Sequence, residues 1–232
     1  MRLKPAYRIL DREAPLLAVE DPSDLGALLP GEGEWEVELG YGKGRYLLQR
    51  ALAEPEKRFL GIEVVSKYYR LLSKRAANHG AANLLNVRGE ALYLLSAALP
   101  RGFASRLHVY FPDPWPKAKH HRRRLFDPAT VDLVLGLLKP GGELCFATDF
   151  IDYGELVMEI LEGYPDLVLE PVLGPWPEGP RTNYEAKYMR EGRPILRCLG
   201  SISPRATPGT LHPRGERGVV AAWEPRPDDD ES

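Results

Sequence analysis

Apolar and polar positions along residues 34–202 alternate between two patterns, one typical of buried strands and the other of amphipathic helices. Short apolar runs rich in β-branched and aromatic residues predict seven strands, at residues 35–39, 58–63, 84–88, 107–110, 143–148, 167–170 and 194–202. Helical spacing between them predicts five helices, at residues 45–53, 66–80, 91–98, 129–138 and 153–163. This order favours the α/β class, with a doubly wound, mainly parallel, seven-stranded Rossmann-like sheet and helices on both faces.

The segments outside this pattern predict the domain organisation. Residues 1–33 lack a clear period and predict an irregular amino-terminal arm, whereas residues 34–202 predict one folded domain in which residues 176–192 form a loop. Residues 203–232 are rich in Pro, Arg and Gly and end in acid, so we expect a flexible tail. Within that tail, residues 219–223 could still dock as a short strand.

Composition and charge limit how the chain could contact a nucleic acid. The chain has 232 residues, of which 44% are apolar and 28% charged, which suffices for a sizeable core in one domain. The formal net charge is −2, but the acidic residues 228–231 account for this excess, so the rest of the chain is slightly positive. Any contact with nucleic acid must therefore come from a local cationic patch such as residues 117–124.

Cysteine usage and hydropathy indicate the compartment. Cys145 and Cys198 each lie in an apolar run without metal-ligand spacing, so we expect reduced thiols and no metal site. The amino terminus shows no hydrophobic signal core, and no apolar run approaches the length of a membrane span. We therefore expect a soluble cytoplasmic protein with no membrane partner.

A glycine-rich loop follows the first predicted strand and opens the first helix. It reads Glu-Leu-Gly-Tyr-Gly-Lys-Gly and contains Gly40, Gly42 and Gly44. Such glycines allow a tight turn and close approach of the backbone to a ligand. The GxGxG spacing differs from a pyrophosphate fingerprint, and the loop by itself could serve a nucleoside, a dinucleotide or only a tight strand–helix crossing.

Three carboxylates lie at the ends of the first three predicted strands. Glu38 precedes the glycines, Glu63 closes the second strand, and Glu90 follows the third. Glu63 can accept both hydroxyls of a ribose, as dehydrogenases also do, and Glu90 can approach an adenine edge. Three carboxylates without a cationic phosphate clamp suit a positively charged cofactor, and S-adenosylmethionine (SAM) fits that description.

A proline-rich loop follows the fourth predicted strand, at the end of the sheet where open α/β folds bind ligands. Residues 111–117 read Phe-Pro-Asp-Pro-Trp-Pro-Lys, and a cationic run continues to Arg124. Prolines fix φ, so this loop would hold Asp113 and Trp115 rigidly. The alternative is an ordinary proline-rich turn beside a solvated basic face.

These motifs together resemble those of the bacterial tRNA (guanine-N7)-methyltransferases over roughly residues 34–200. The most specific is the proline-rich loop with its basic run. The glycine loop and Lys-Pro-Gly-Gly at residues 139–142 occur in many SAM-dependent enzymes, while Thr-Asn-Tyr-Glu at residues 182–185 is similar to the family's T-x-[YF]-E substrate motif.

The resemblance implies a SAM-dependent methyltransferase sheet and an enzyme that methylates N7 of the variable-loop guanine, position 46, of tRNA. It implies that tRNA is the partner, while the sequence leaves open whether the chain works as a monomer or homodimer. Asp113 is the implied catalytic residue. The implied cofactor residues are Glu38, Gly40, Gly42, Gly44, Glu63, Glu90 and Asp113. The implied tRNA contacts are Lys117, Asp149, Thr182, Asn183, Tyr184 and Glu185.

Several of these residues have a structural alternative. Glu90 stands where the family usually has aspartate, and Asp149 could simply cap the following helix. Trp115 could brace its loop instead of stacking on a base, and Glu185 could be a solvated loop carboxylate. His120 and the histidine after it are interpreted as exposed neighbours of phosphates, since no carboxylate or cysteine shares their spacing.

Two other functions share parts of this pattern. A small-molecule methyltransferase would keep the sheet and glycine loop but would have no use for the basic run. A noncatalytic RNA-binding module would keep the basic run but would not bind SAM.

Overall fold

The computed structural model describes residues 4–5, 16–18, 25, 29 and 33–206, and its strands form one mixed sheet. The sheet has nine strands in the order β1-β2-β5-β4-β3-β6-β7-β9-β8. The strands are β1 (Lys4–Pro5), β2 (Leu16–Ala18), β3 (Trp35–Leu39), β4 (Arg58–Glu63), β5 (Leu84–Arg88), β6 (Ala104–Tyr110), β7 (Leu138–Thr148), β8 (Leu167–Pro171) and β9 (Leu196–Ile202). The consecutive neighbours from β2 to β7 are parallel, whereas β1, β8 and β9 pair antiparallel.

In the part of the chain that the structure describes continuously, residues 33–206, six α-helices and one 3₁₀ turn connect the strands. They are α1 (Arg45–Ala53), α2 (Ser66–His79), α3 (Ala91–Ala97), α4 (Val131–Leu135), α5 (Ile151–Glu162) and α6 (Asn183–Arg190), with the 3₁₀ turn at Ala118–Arg123. Leu47 of α1 and Leu72 of α2 pack with Phe59 on one face of the sheet. Leu94 of α3 and Val157 of α5 belong to the larger core on the other face. The predicted seven strands and the helices on both faces are therefore confirmed.

The differences from the predicted elements have physical causes. Two short strands, β1 and β2, extend the sheet, so the amino-terminal arm is not irregular throughout. Helix α6 occupies part of the segment predicted to be a loop. Its only buried residue is Glu185, so it lacks the apolar stripe that marks a helix in a sequence. The prediction for the tail beyond Ala206 lies outside the described residues.

The strand order reverses beside β3, which places a crevice at the carboxyl end of the sheet. On one side of β3 lies β4, and on the other lies β6, to which the chain returns only after β5. Ligands of doubly wound sheets bind at such a reversal. The glycine loop after β3 and the proline-rich loop after β6 both open at this point.

Within the part of the chain that the structure describes, no helix combines the length and apolar character needed to cross a membrane.

Candidate active site

The glycine loop has the backbone shape that its sequence requires. Gly40, Gly42 and Gly44 have φ values of 68°, 55° and 62°, in the left-handed region that side chains disfavour. A Cβ on Gly44 would also lie 2.7 Å from Cδ1 of Leu72 in α2. A larger residue at this position would therefore strain the turn and push α1 away from α2.

Glu63 fixes the loop from the neighbouring strand. Its side chain is buried, with Oε2 accepting from the Gly42 N–H at 2.8 Å and Oε1 accepting from the Val65 N–H at 2.8 Å. A carboxylate oxygen can accept more than one hydrogen bond, so both oxygens keep capacity for ligand hydroxyls. Glu63 therefore orients the glycine loop and can still serve as a ribose acceptor.

Glu38 is a buried carboxylate that faces a cavity. It is 2% exposed, and its Oε2 has no hydrogen-bond partner. Burial raises the pKa of Glu38 to about 8, although nearby His108 opposes the shift. Because an unpaired buried oxygen is costly, this carboxyl suits a ligand that brings a donor or a positive charge. The Glu38 carboxyl therefore fits a cationic cofactor.

The cavity joins segments that are far apart in the sequence. It encloses about 210 Å³ and is lined by Glu38, the glycine loop, Tyr68 of α2, Tyr110 and Phe111 at the end of β6, and residues 182–184 and 187 around the start of α6. The structure thus brings together Glu38, Gly40, Gly42 and the predicted substrate residues Thr182, Asn183 and Tyr184.

The proline-rich loop holds two aromatic residues in an unfavourable backbone conformation. Phe111 has a φ of 53° and Trp115 a φ of 40°, each of which costs about 1–3 kcal/mol in a non-glycine residue. The Phe111 N–H donates to the Ala147 carbonyl at 2.7 Å, and Arg124 Nε donates to the Pro114 carbonyl at 2.7 Å. Strain held by such contacts indicates a preorganised loop.

Arg124 is part of the loop's support, not of its solvated surface. It is only 7% exposed, and its guanidinium also lies 5.0 Å from the ring centre of Tyr153. The sequence grouped Arg124 with a cationic run that would face phosphates, and the structure corrects this for Arg124. Trp115 has Arg123 over its ring at 5.1 Å, so Trp115 braces the same turn.

Asp113 is exposed in this loop, as is Lys117 at its end. Asp113 does not line the cavity, but it affects the pKa of Tyr184, which does. Burial, Tyr68, Tyr188 and Asp113 together raise the pKa of Tyr184. The charge of Asp113 therefore contributes to the electrostatic environment of Tyr184.

Glu185 lies in the protein interior and not in the cavity. It is 0% exposed, its Oε1 accepts from Arg197 Nε at 2.6 Å, and its Oε2 accepts from the Arg181 N–H at 2.8 Å. The predicted contact between this carboxylate and a guanine is therefore not what the structure shows. Helix α6 turns the side chain inward, where Glu185 anchors the start of the helix to β9.

Asp149 and Glu90 also have structural partners. Asp149 is 3.6 Å from Arg193, outside the cavity lining, and the helix that follows has Phe150 as its N-cap without a side-chain cap. Glu90 caps α3, since its Oε2 accepts from the Tyr93 N–H at 2.7 Å. The capping alternative thus fails for Asp149, whereas Glu90 does act as a helix cap.

Arg181 is a residue of the site that the sequence did not indicate. Its guanidinium is stacked 3.8 Å from the ring centre of Trp176. Nε donates to Glu178 at 2.7 Å and Nη1 donates to the Tyr110 hydroxyl at 2.7 Å. Because Arg181 immediately precedes Thr182, these contacts fix the wall of the cavity to the end of β6. No local motif marks such a residue.

The Tyr110 hydroxyl continues into a buried polar network beneath the cavity. His108 Nδ1 lies 2.9 Å from this hydroxyl, and His108 Nε2 lies 3.0 Å from a Glu36 oxygen. Arg50 Nε donates to the same carboxylate at 3.1 Å. Hydrogen bonds from His108 and Arg50 outweigh the effect of burial and hold the pKa of Glu36 well below its usual range. The network ties the floor of the site to the centre of the sheet.

Clusters of three or more metal-ligating side chains do not occur among residues 33–206 or the other described positions.

Comparison with known proteins places these features in a family. The family model described as "Putative methyltransferase" matches residues 33–198. A protein from Nitrosococcus oceani named tRNA (guanine-N(7)-)-methyltransferase is 38% identical to this chain, over 75% of this chain and 74% of the relative. The protein of that name from Halorhodospira halophila is 33% identical over 85% of this chain and 89% of the relative.

Solved structures share the fold at low sequence identity. A 16S rRNA (adenine(1408)-N(1))-methyltransferase from Catenulisporales acidiphilia, solved with its cosubstrate SAM, aligns with a TM-score of 0.56 at 19% identity, over 82% of this chain and 96% of its own. The 16S rRNA methyltransferase KamB aligns with a TM-score of 0.54 at 16% identity, over 78% of this chain and 92% of its own. These alignments support the sheet topology described above.

Proposed function

Because the chain belongs to the family of tRNA (guanine-N(7)-)-methyltransferases, we propose that it transfers a methyl group from SAM to N7 of a guanine in tRNA. The variable-loop guanine at position 46 is the proposed target, and the cytoplasm is the proposed compartment. The observation that carries the proposal is the cavity that Glu38, whose Oε2 has no hydrogen-bond partner, lines together with residues 182–184.

Three carboxylates would hold the cofactor. Glu38 would pair with its positive charge, Glu63 would accept the ribose hydroxyls, and Glu90 would approach the adenine from its position at the start of α3. When bound, SAM supplies an electrophilic methyl group on a sulfonium. Burial of Glu38 strengthens its attraction for such a cation, since charges interact more strongly away from water.

The main task of the residues around the guanine is to orient the base, because N7 does not need chemical activation. N7 of guanine has a free lone pair and no proton, so the transfer needs no general base, and orientation should supply most of the rate enhancement. We assign Asp113 to accept hydrogen bonds from the N1–H and N2 edge of the base and to oppose the positive charge that develops on the purine.

The wall of the cavity defines the remaining substrate contacts. Thr182, Asn183 and Tyr184 line it directly, and Arg181 and the buried Glu185 hold these three residues in place. Lys117 and Asp149 would contact the RNA outside the cavity. The target base would have to leave its stack to enter, as nucleobase-modifying enzymes generally require.

The test of this function uses the purified chain, labelled SAM and a tRNA transcript, followed by chemical cleavage at N7-methylguanosine. Cleavage at position 46 supports the proposal, and a transcript with another base at position 46 should remain intact. Methyl transfer to small molecules alone would indicate a small-molecule methyltransferase. RNA binding without saturable SAM binding would indicate a noncatalytic module.

The Asp113→Asn variant tests the assigned role. It replaces one acceptor oxygen by a donor, so kcat should collapse and tRNA affinity should fall by about 1–3 kcal/mol, the worth of a bidentate base contact. Asp166→Asn, the same change before β8, is the matched control and should leave both values unchanged. A near wild-type kcat for Asp113→Asn would remove Asp113 from the chemistry.

A further inference from the structure

Helix α2 carries a positively charged face that the proposed chemistry does not use. The helix contains four Lys or Arg residues and no acidic residue. Lys67, Arg70 and Lys74 are exposed and lie three and then four positions apart, so they form a single stripe along one face. We call these three residues the α2 basic stripe. The opposite face packs on the sheet through residues such as Leu72 and Ala76.

Among the described residues, the stripe has no ion-pair partner. Among the side chains that the structure describes, no carboxylate lies within ion-pair distance of Lys67, Arg70 or Lys74. Some other cations of the molecule are paired, as Lys187 is with Glu191 and Lys139 with Glu34. Three unpaired like charges within about 10 Å of helix repel one another, which favours an external anion.

The α2 basic stripe begins beside a residue that lines the cavity. Tyr68, the neighbour of Lys67, lines the cavity together with Tyr184, and burial and Tyr68 both raise the pKa of Tyr184. Arg75 of the same helix donates from Nη1 to the Lys43 carbonyl in the glycine loop at 2.9 Å. These contacts fix the position of α2 relative to the cavity without using the three cations of the stripe.

The stripe and the proline-rich loop lie on opposite sides of the cavity. Helix α2 follows β4, the proline-rich loop follows β6, and β3 separates these two strands in the sheet. A nucleotide whose base enters the cavity is joined to phosphates on its 5′ and its 3′ side. An RNA strand crossing the mouth would therefore meet Lys117 on one side and the α2 basic stripe on the other.

We propose that the α2 basic stripe is a second phosphate-binding surface, which holds the tRNA backbone on the side of the cavity opposite the proline-rich loop. The inference rests on the proposed function, because it takes tRNA as the molecule that crosses the cavity. Contacts of this kind fix position without reading sequence. They release counterions, so they make binding salt-dependent.

The test is direct binding of labelled tRNA over a range of salt concentrations. The triple variant Lys67→Gln/Arg70→Gln/Lys74→Gln should bind tRNA roughly tenfold more weakly at moderate salt, with a log–log salt slope shallower by about two units. SAM affinity and the melting temperature should stay unchanged. The matched control, Arg101→Gln/Lys139→Gln/Arg205→Gln, removes the same charge at the end of the sheet opposite the cavity, before β6, at the start of β7 and after β9, and should keep the wild-type slope.

The salt slopes of the α2 variant and its control decide whether the proposal holds. A wild-type salt slope in the α2 variant would overturn the proposal and favour an acidic protein partner for the stripe. Equal losses in the α2 variant and its control would also overturn it, because only net charge would then matter. If the wild-type chain binds tRNA and methylates it, these failures leave the proposed function intact. If the wild-type chain neither binds nor methylates tRNA, the proposed function itself fails.

Discussion

The affinity of the chain for SAM should increase as the pH rises from 6 to 9, because Glu38 has to lose a proton before it can pair with a cation. Without ligand, burial raises the pKa of this carboxyl to about 8, so the group is neutral at lower pH. His108, the Leu47 backbone and Arg181 favour the charged form of Glu38, and Glu63 disfavours it. A bound cation would favour the charged form further.

The size of the effect follows from the pKa. With a pKa of about 8, the fraction of charged Glu38 is about 1% at pH 6 and about 90% at pH 9. If only the charged form pairs with the ligand, SAM affinity should rise about 90-fold over this interval, or about 2.7 kcal/mol. At pH 7 each binding event should release about 0.9 of a proton.

Calorimetry in buffers with different ionisation enthalpies measures both the affinity and the released protons. The control is Glu38→Gln, which keeps the shape and cannot titrate. This variant should bind SAM nearly as well as the wild type at pH 6 and far more weakly at pH 9. Titration of the ligand's own amino group affects both proteins equally, so a constant affinity ratio from pH 6 to pH 9 would refute the reasoning.

Three further substitutions test the supports of the site. Glu63→Ala removes the acceptor of the Gly42 N–H, so calorimetry should show weaker SAM binding with little change for tRNA; unchanged SAM affinity would exclude Glu63 from the cofactor site. Arg181→Lys keeps the charge but loses the stack on Trp176 and a hydrogen bond, so kcat/KM for tRNA should fall by roughly tenfold, or about 1–2 kcal/mol, at constant SAM affinity. Equal losses for both ligands would instead indicate general destabilisation. Arg124→Gln should lower kcat because it frees the Pro114 carbonyl, yet preserve the salt dependence of tRNA binding; a shallower salt slope would mean that Arg124 meets phosphate.

Much of the fold could be predicted because its signals are local. Strands β3, β4 and β5 and helix α1 have the predicted bounds, since each is a short run with its own apolar period and a glycine or polar break at its end. Helix α6 could not be predicted in this way. Its buried residue is Glu185, which is stable in the interior because Arg197 of β9 and the Arg181 N–H both donate hydrogen bonds to it.

The roles of the individual charges depended on the tertiary structure. From the sequence, Glu38, Glu63, Glu90 and Glu185 were all candidates for ligand binding, with Glu90 the weakest of the cofactor assignments. The fold leaves Oε2 of Glu38 without a partner at the cavity, gives Glu63 two backbone donors, makes Glu90 a helix cap and pairs Glu185 with an arginine.

The sequence by itself determined the α/β order of elements, the glycine loop and the rigid proline-rich turn, because backbone preferences and periodicity act between near neighbours. The tertiary structure decided which carboxyl faces the cavity and which arginine supports the wall. Burial and electrostatic pairing depend on groups brought together from distant parts of the chain, as Arg181 and Tyr110 are, and no local pattern encodes them.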